Sequence, residues 1–189
     1  MKIINNEIRD DFDYFIELMD GKKEVDETII YLKQKPTHKD WLTETVNVKH
    51  TTINEPIGLI IEKKKSYYKY GIKLICKHLT SAPFFRFDSD GPAHRNISDE
   101  IPLSEQKVTT PHFNTFDKTG LSIAYKTETL KKEKEAKAIA ENINFGVSHF
   151  FQESNINTDG NFPEIKLKIP ELFGENIETD PLNGIDFII

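Results

Sequence analysis

The chain has 189 residues, a length typical of one domain, and 37% of them are hydrophobic while 30% are charged. A net charge of -6 at pH 7 argues against a broad basic surface for nucleic acid. The single cysteine, Cys76, excludes an intrachain disulfide and a cysteine-based zinc site. No apolar run reaches the roughly 18 residues of a membrane-spanning helix, so the sequence predicts a cytoplasmic protein without a membrane partner.

The first half of the chain changes from a helical to a strand pattern. Apolar residues at helical spacing predict an amphipathic helix over residues 6–20. Pro36 then indicates a connection within residues 22–42. Alternating and β-branched residues predict three strands: residues 43–53, 57–62 and 67–79. A hairpin turn at Lys63–Ser66 would join the last two, and we interpret Tyr67, Tyr68 and Tyr70 as strand packing.

The stretch FFRFDSDGPAHRN, residues 84–96, and the strand that follows it hold the strongest polar pattern. Because side chains alternate along a strand, residues 84–88 place Arg86 and Asp88 on one face. Residues 108–116 predict a second strand, with His112 and Asn114 on one face. The loop between them presents His94, Arg95 and Asn96. If the two strands pair antiparallel, two histidines, an arginine and a carboxylate converge.

Residues 121–125 predict another strand, residues 128–142 and 144–154 two helices, and residues 163–170 a further strand. The predicted fold class is therefore α+β: a mostly antiparallel, curved sheet or partly closed barrel of five to seven strands, flanked by an N-terminal helix and one or two later helices. We predict a single domain over residues 1–189. It comprises a helix (6–20), a β-rich core that bears the motif (43–125), helices (126–155) and an irregular C-terminal appendage (156–189).

The order of these polar residues resembles a family of uncharacterised bacterial and phage proteins. The shared pattern is Arg-x-Asp at the end of a strand, a glycine, Pro-His-x-Asn-Pro-Asp-Gly, a Pro-His-x-His strand, a Gly-rich turn and an Ala-Tyr pair, and the match covers residues 58–156 here. The matching residues are Arg86, Asp88, Gly91, His94, Asn96, Asp99, Pro111, His112, Gly120, Ala124 and Tyr125. The chain departs from the family in three places. Pro92 is displaced by one residue from His94, Asn114 replaces a second histidine, and Asp117–Gly120 replaces an Arg-Glu-Gly turn.

The resemblance implies an accessory protein of a mobile element or defence locus, with a toxin, antitoxin or phage-defence role. Three functions remain open on the residues alone. The first is a non-catalytic protein-binding module, antitoxin-like or inhibitory, because the acidic balance suits a basic partner. The second is a metal-independent ribonuclease toxin, because a histidine pair suits general acid-base catalysis near neutral pH. The third is a divalent-metal site built from Asp88, His94 and His112.

We divide the candidate site residues into two groups: those that would catalyse a reaction, and those that would bind or orient the substrate or partner. His94 and His112 are the candidate acid and base, and Arg86 would stabilise a phosphorane. The candidate binding or orienting residues are Asp88, Arg95, Asn96, Asp99, Asn114 and Tyr125. No cofactor and no metal ligand are assigned. A protein partner is predicted, with RNA and a homodimer as further options.

Overall fold

The computed structural model describes residues 4–97 and 102–168 and has the predicted α+β fold. Within these residues there are five helices: α1 (Asn6–Asp10), α2 (Phe12–Asp20), α3 (Glu128–Lys131), α4 (Glu133–Glu141) and α5 (Ile143–Glu153). The strands of the main sheet are β1 (Lys23–Glu24), β2 (Ile29–Lys35), β3 (His38–His50), β4 (Ile57–Lys64), β5 (Tyr70–Cys76), β6 (Phe85–Asp88), β9 (His112–Phe116), β10 (Ser122–Tyr125) and β11 (Glu164–Leu167). Two short strands, β7 (His94–Arg95) and β8 (Lys107–Val108), form a separate ribbon.

The main sheet has nine strands in the described part of the chain, in the order β10-β9-β6-β5-β4-β3-β2-β11, with β1 beside β3. Every pair is antiparallel except β11, which lies parallel to β2. The sheet is open, so it does not form the partly closed barrel. The strand count exceeds the predicted five to seven because residues 22–42 contribute two strands, β1 and β2, that the sequence does not predict.

Residues 22–42 contain β1, β2 and the start of β3. Pro36 and Thr37 form only a two-residue turn, so the predicted connection is far shorter than the region. The predicted C-terminal appendage holds the strand expected over residues 163–170. Its residues 164–167 join the sheet as β11 because Ile165 is buried in the core, and residues 169–189 lie outside the described part of the chain.

One face of the sheet is covered by the later helices. Phe85 and Phe113, on neighbouring strands, stack at 5.4 Å between ring centroids, and Phe150 of α5 packs on both at 5.2 and 6.2 Å. Tyr70 donates its hydroxyl hydrogen to the Ile139 carbonyl and lies directly against Gly146, where an added Cβ would overlap its ring. Helix α5 therefore fixes the aromatic side of the sheet.

Helices α1 and α2 lie at the end of the sheet where β5 finishes. Tyr14 Oη is 3.9 Å from Cys76 Sγ, and the ring of Phe15 packs edge-on against Phe84 at 6.4 Å. The predicted helix over residues 6–20 is present but is divided at Asp11.

A buried lysine closes this helical region. Lys23 is 1% exposed, and its Nζ donates to the carbonyls of Leu18, Met19 and Gly21 at 2.7, 2.9 and 2.7 Å. A cation at the C-terminal end of a helix complements the partial negative charge of the free carbonyls. Burial lowers the pKa of Lys23 to about 8, and Asp20 opposes that shift.

Candidate functional site

The predicted pairing of the two motif strands is confirmed. Strand β6 lies antiparallel to β9, with Arg86 opposite Asn114 and Asp88 opposite His112. Phe85 and Phe87 are buried in the aromatic core, so alternation turns Arg86 and Asp88 to the other face. The four polar side chains therefore meet on one face of the sheet, and we call Arg86, Asp88, His112 and Asn114 the polar cluster.

Asp88 is the centre of the polar cluster. Its Oδ2 accepts a hydrogen bond from Asn114 Nδ2 at 2.9 Å and lies 2.9 Å from Arg86 Nε. Although close, Arg86 Nε does not have the angle of a hydrogen bond to this oxygen, so the contact is an ion pair. His112 Nε2 lies 3.7 Å from the same oxygen, which is too far for a hydrogen bond.

Three buried side-chain atoms of the described residues have no hydrogen-bond partner, and all three belong to the polar cluster: Arg86 Nε, His112 Nδ1 and Asn114 Oδ1. Buried polar atoms are normally paired, so three unpaired ones at one place make this cluster the strongest candidate site among the described residues. His112 is only 2% exposed and Asn114 6%, whereas the side chain of Arg86 is 42% exposed. The arginine is therefore the group of the cluster that solvent reaches most easily.

Burial also controls the charge of His112. It lowers the pKa of the imidazole, and Arg86 and His94 add to that effect, while the Asp88 carboxylate opposes it. A backbone contact with Thr109 also favours the protonated ring, although its geometry does not reach that of a full hydrogen bond. A neutral His112 follows at pH 7, since the unperturbed value is already near 6.5.

His94 lies near His112, but its ring nitrogen has a structural partner. The two ring centroids are 6.4 Å apart, and His94 Nε2 lies 3.2 Å from the Ser122 carbonyl oxygen. Asn96 makes a firmer attachment to the same strand. Its Nδ2 donates to Ala124 O at 2.7 Å, and its Oδ1 accepts from Ala124 N at 2.8 Å. The β7–β8 ribbon is thus fastened along the edge strand β10.

The remaining predicted site residues do not join the polar cluster. Arg95 is exposed and donates from Nε to Gln106 Oε1 at 3.2 Å, and alternation points it away from His94. Tyr125 stacks on Phe113 at 5.6 Å on the helical face and donates its hydroxyl hydrogen to Glu153 Oε1 at 2.8 Å. Burial, and then Glu153, raise the pKa of Tyr125. Asp99 lies outside the described residues.

The metal alternative needs Asp88, His94 and His112 around one point. Among residues 4–97 and 102–168, no three His, Cys, Asp or Glu side chains are grouped in that way. His94 instead bonds to the backbone of β10, and Asn114 takes the place beside Asp88.

Two buried residues that hydrogen-bond to the strands and loop of the site were not identified from the sequence. Ser89 is 3% exposed, and its Oγ accepts from Tyr70 N at 2.8 Å, while Ser89 N donates to Tyr70 O at 3.1 Å. Gln106 is 5% exposed, and its backbone carbonyl accepts from Asn96 N at 2.8 Å. Ser89 could have been identified from the sequence, because it is a small hydroxyl residue directly after Asp88 at the end of the strand. No local pattern indicates Gln106.

Comparison with protein-family models, with curated proteins and with solved structures gives no match for this chain. The resemblance to the phage and bacterial family therefore stays a prediction based on the motif residues. No helix in the described part of the chain is long and apolar enough to span a bilayer.

Proposed function

We propose that the protein is a non-catalytic binding protein, antitoxin-like or inhibitory, whose partner is a basic protein. The observation that carries this proposal is the position of its negative charge. Residues 7–27 contain nine Asp or Glu and three Lys or Arg, a net charge of -6 that equals the net charge of the whole chain. All nine carboxylates are exposed.

Few of these carboxylates are neutralised locally. Within the described residues only Asp10, through Arg9, and Asp26, through Lys49, take part in ion pairs. Of the three cations in the segment, Lys23 points inward to helix carbonyls. The surface of α1, α2 and the segment behind them therefore offers free negative charge, which attracts a basic partner and raises the association rate.

The polar cluster supports a structural role beside this surface. His94 bonds to a backbone carbonyl, Asn96 is fastened to Ala124, and His112 is almost fully buried. These contacts join the motif loop to the sheet, as short polar side chains commonly do in turns.

Capture from a lysate of the source cells tests the binding role. The parent chain is compared with a variant in which Asp10, Asp11 and Asp13 are all changed to Asn. A matched control changes the exposed Glu133, Glu135 and Glu141 of α4 to Gln. We expect a basic protein that is captured by the parent and the control, is released by salt, and is lost with the α1–α2 variant. Equal capture by all three chains, or no partner at all, contradicts the proposal.

A second candidate function, a metal-independent ribonuclease, is favoured by the three unpaired buried atoms of the polar cluster. In that function His94 and His112 would move the protons and the exposed part of Arg86 would meet the phosphate. The test is cleavage of a labelled RNA by purified protein in chelator, with His94→Gln and His112→Gln compared with His38→Gln. Cleavage by the parent and the His38 variant, but not by the His94 and His112 variants, supports the ribonuclease function. If the parent does not cleave the RNA, or if all four chains cleave it equally, this function is excluded.

A further inference from the structure

The loop between β4 and β5, residues 65–69, exposes two aromatic rings among lysines. Tyr67 is 62% exposed and Tyr68 is 67% exposed, whereas Tyr70 is 2% exposed. The interpretation as strand packing is therefore confirmed for Tyr70 and wrong for the other two. The strands end at Lys64 and resume at Tyr70, so the turn is longer and later than the predicted Lys63–Ser66. Neither exposed ring contributes to the core.

Positive charge is concentrated around these rings. Residues 63–87 contain seven Lys or Arg and no Asp or Glu. Four of the seven lie in the hairpin, and no carboxylate of the described residues forms an ion pair with any of them: Lys63, Lys64, Lys65 and Lys69. Lys64 Nζ lies 4.6 Å from the centroid of the Tyr67 ring. Cationic and aromatic groups thus occupy the same surface.

This hairpin borders both the polar cluster and a half-buried tryptophan. Gly71, at the start of β5, pairs with Asp88, and Lys69 Nζ lies 3.6 Å from where a Cβ on Gly91 would stand. On the other side Lys64 pairs with Trp41 of β3. A cavity of about 250 Å³ opens beside Trp41 and is lined by Lys35, His38 and Glu62.

We propose that this hairpin end, defined by Trp41, Lys64, Tyr67, Tyr68 and Lys69, binds single-stranded nucleic acid. Exposed aromatic rings stack on bases that are free of a duplex, and adjacent lysines contact the phosphates. Stacking requires unpaired bases, which favours a single strand over a duplex. The loop residues Lys-Ser-Tyr-Tyr-Lys include no aliphatic side chain to enter a bilayer, which favours nucleic acid over an anionic membrane. The site is separate from the acidic surface of α1 and α2 and does not depend on it.

Fluorescence anisotropy with a labelled RNA of about 12 nucleotides, and with DNA of the same sequence, tests the site. We expect the Tyr67→Ala/Tyr68→Ala variant to bind roughly 10-fold or more weakly, since each stacked base contributes substantially. The Lys64→Gln/Lys69→Gln variant should lower the salt dependence, log K against log salt, by about 0.7 for each lost phosphate contact. Tyr31→Ala and Lys134→Gln/Lys137→Gln, which change exposed residues elsewhere, should bind as the parent does.

Three results would overturn the site: no saturable binding at low salt, unchanged affinity in the tyrosine variant, or stronger binding to a duplex or to phosphatidylserine vesicles. Preference for RNA over DNA, or equal affinity for both, supports the proposed site and shows which type of single-stranded nucleic acid it binds. The variant of Asp10, Asp11 and Asp13 should keep its RNA affinity, and the tyrosine variant should keep its protein partner. If one of the two proposals fails, the other can therefore still be tested. Unchanged thermal unfolding of the tyrosine variant shows that its fold is intact.

Discussion

Asn114 and Asp88 are joined by a hydrogen bond of 2.9 Å that runs diagonally between β9 and β6. The oxygen that accepts it also forms an ion pair with Arg86, so one carboxylate oxygen contacts side chains of two strands. Asp88 itself stands at the last position of β6, directly before the motif loop. The loop therefore leaves the sheet from a point fixed by side chains as well as by backbone pairing.

Asp88→Ala should destabilise the protein by about 1–3 kcal/mol, because it leaves the Asn114 amide without its acceptor and the Arg86 guanidinium without its ion-pair partner. Asp88→Asn should cost less, since the new amide oxygen can still accept from Asn114. Urea unfolding measures both variants, with the exposed Asp90→Asn as a control. Equal midpoints for the Asp88→Ala variant and the control would show that the carboxylate does not stabilise the site.

Asn96→Ala should loosen the β7–β8 ribbon without unfolding the sheet. The variant loses both hydrogen bonds to the backbone of Ala124, so the Ala124 amide should exchange with deuterium much faster. Exchange in β5, at the centre of the sheet, should stay as in the parent. Asn47→Ala, at an exposed position of β3, provides the control, and unchanged exchange at Ala124 in the Asn96 variant would contradict the prediction.

The protein should lose stability as the pH falls below about 6.5, the usual pKa of histidine. Burial lowers the pKa of His149 in the folded protein, and Glu153 opposes this only in part. The unfolded chain therefore takes up a proton before the folded one does, and its uptake favours unfolding. His149→Gln should reduce this acid-induced loss, measured as urea midpoints between about pH 7.5 and 5.5. An acid-induced loss as large in the His149 variant as in the parent would refute the assignment.

Lys23→Met should destabilise the protein by about 1–3 kcal/mol, because it leaves three helix-terminal carbonyls without a donor. The neighbouring Lys22 is exposed, so Lys22→Met is a close control with a similar change of shape and charge. Urea unfolding of the two variants makes the comparison. If the Lys23 variant equals the control or is more stable than the parent, the burial of the charge costs more than its three bonds contribute.

Alternation made the centre of the candidate site predictable from the sequence. Phe85 and Phe87 had to face the core, so Arg86 and Asp88 had to face away from it, and the same rule applied to His112 and Asn114. It also rules out Tyr125 in retrospect, because Tyr125 pairs with the core residue Phe113 and so lies on the opposite face. The motif order alone suggested Tyr125, and the pairing overturned it.

Other features depend on contacts that lie far apart in the sequence. The attachment of His94 and Asn96 to β10 joins residues 28 positions apart. Strand β11 joins the sheet beside β2, after more than 120 intervening residues, and no local pattern shows which edge it will meet. Tyr68 continues the alternation of Tyr70 and Ile72, and Tyr67 directly precedes it, so only the actual end of the strand shows that both belong to the loop.

The charges of the molecule are separated along its strands. The carboxylates of α1 and α2 stand where β5 ends, and the lysines of the hairpin stand where it begins, roughly 20 Å away for a strand of this length. Within the described residues these two groups of charge form an electric dipole nearly parallel to β5. At low ionic strength two copies should attract head to tail, and each should orient before it touches a charged partner. Ordinary physiological salt, with a screening length of about 8 Å, would suppress the first effect while leaving close-range orientation in place.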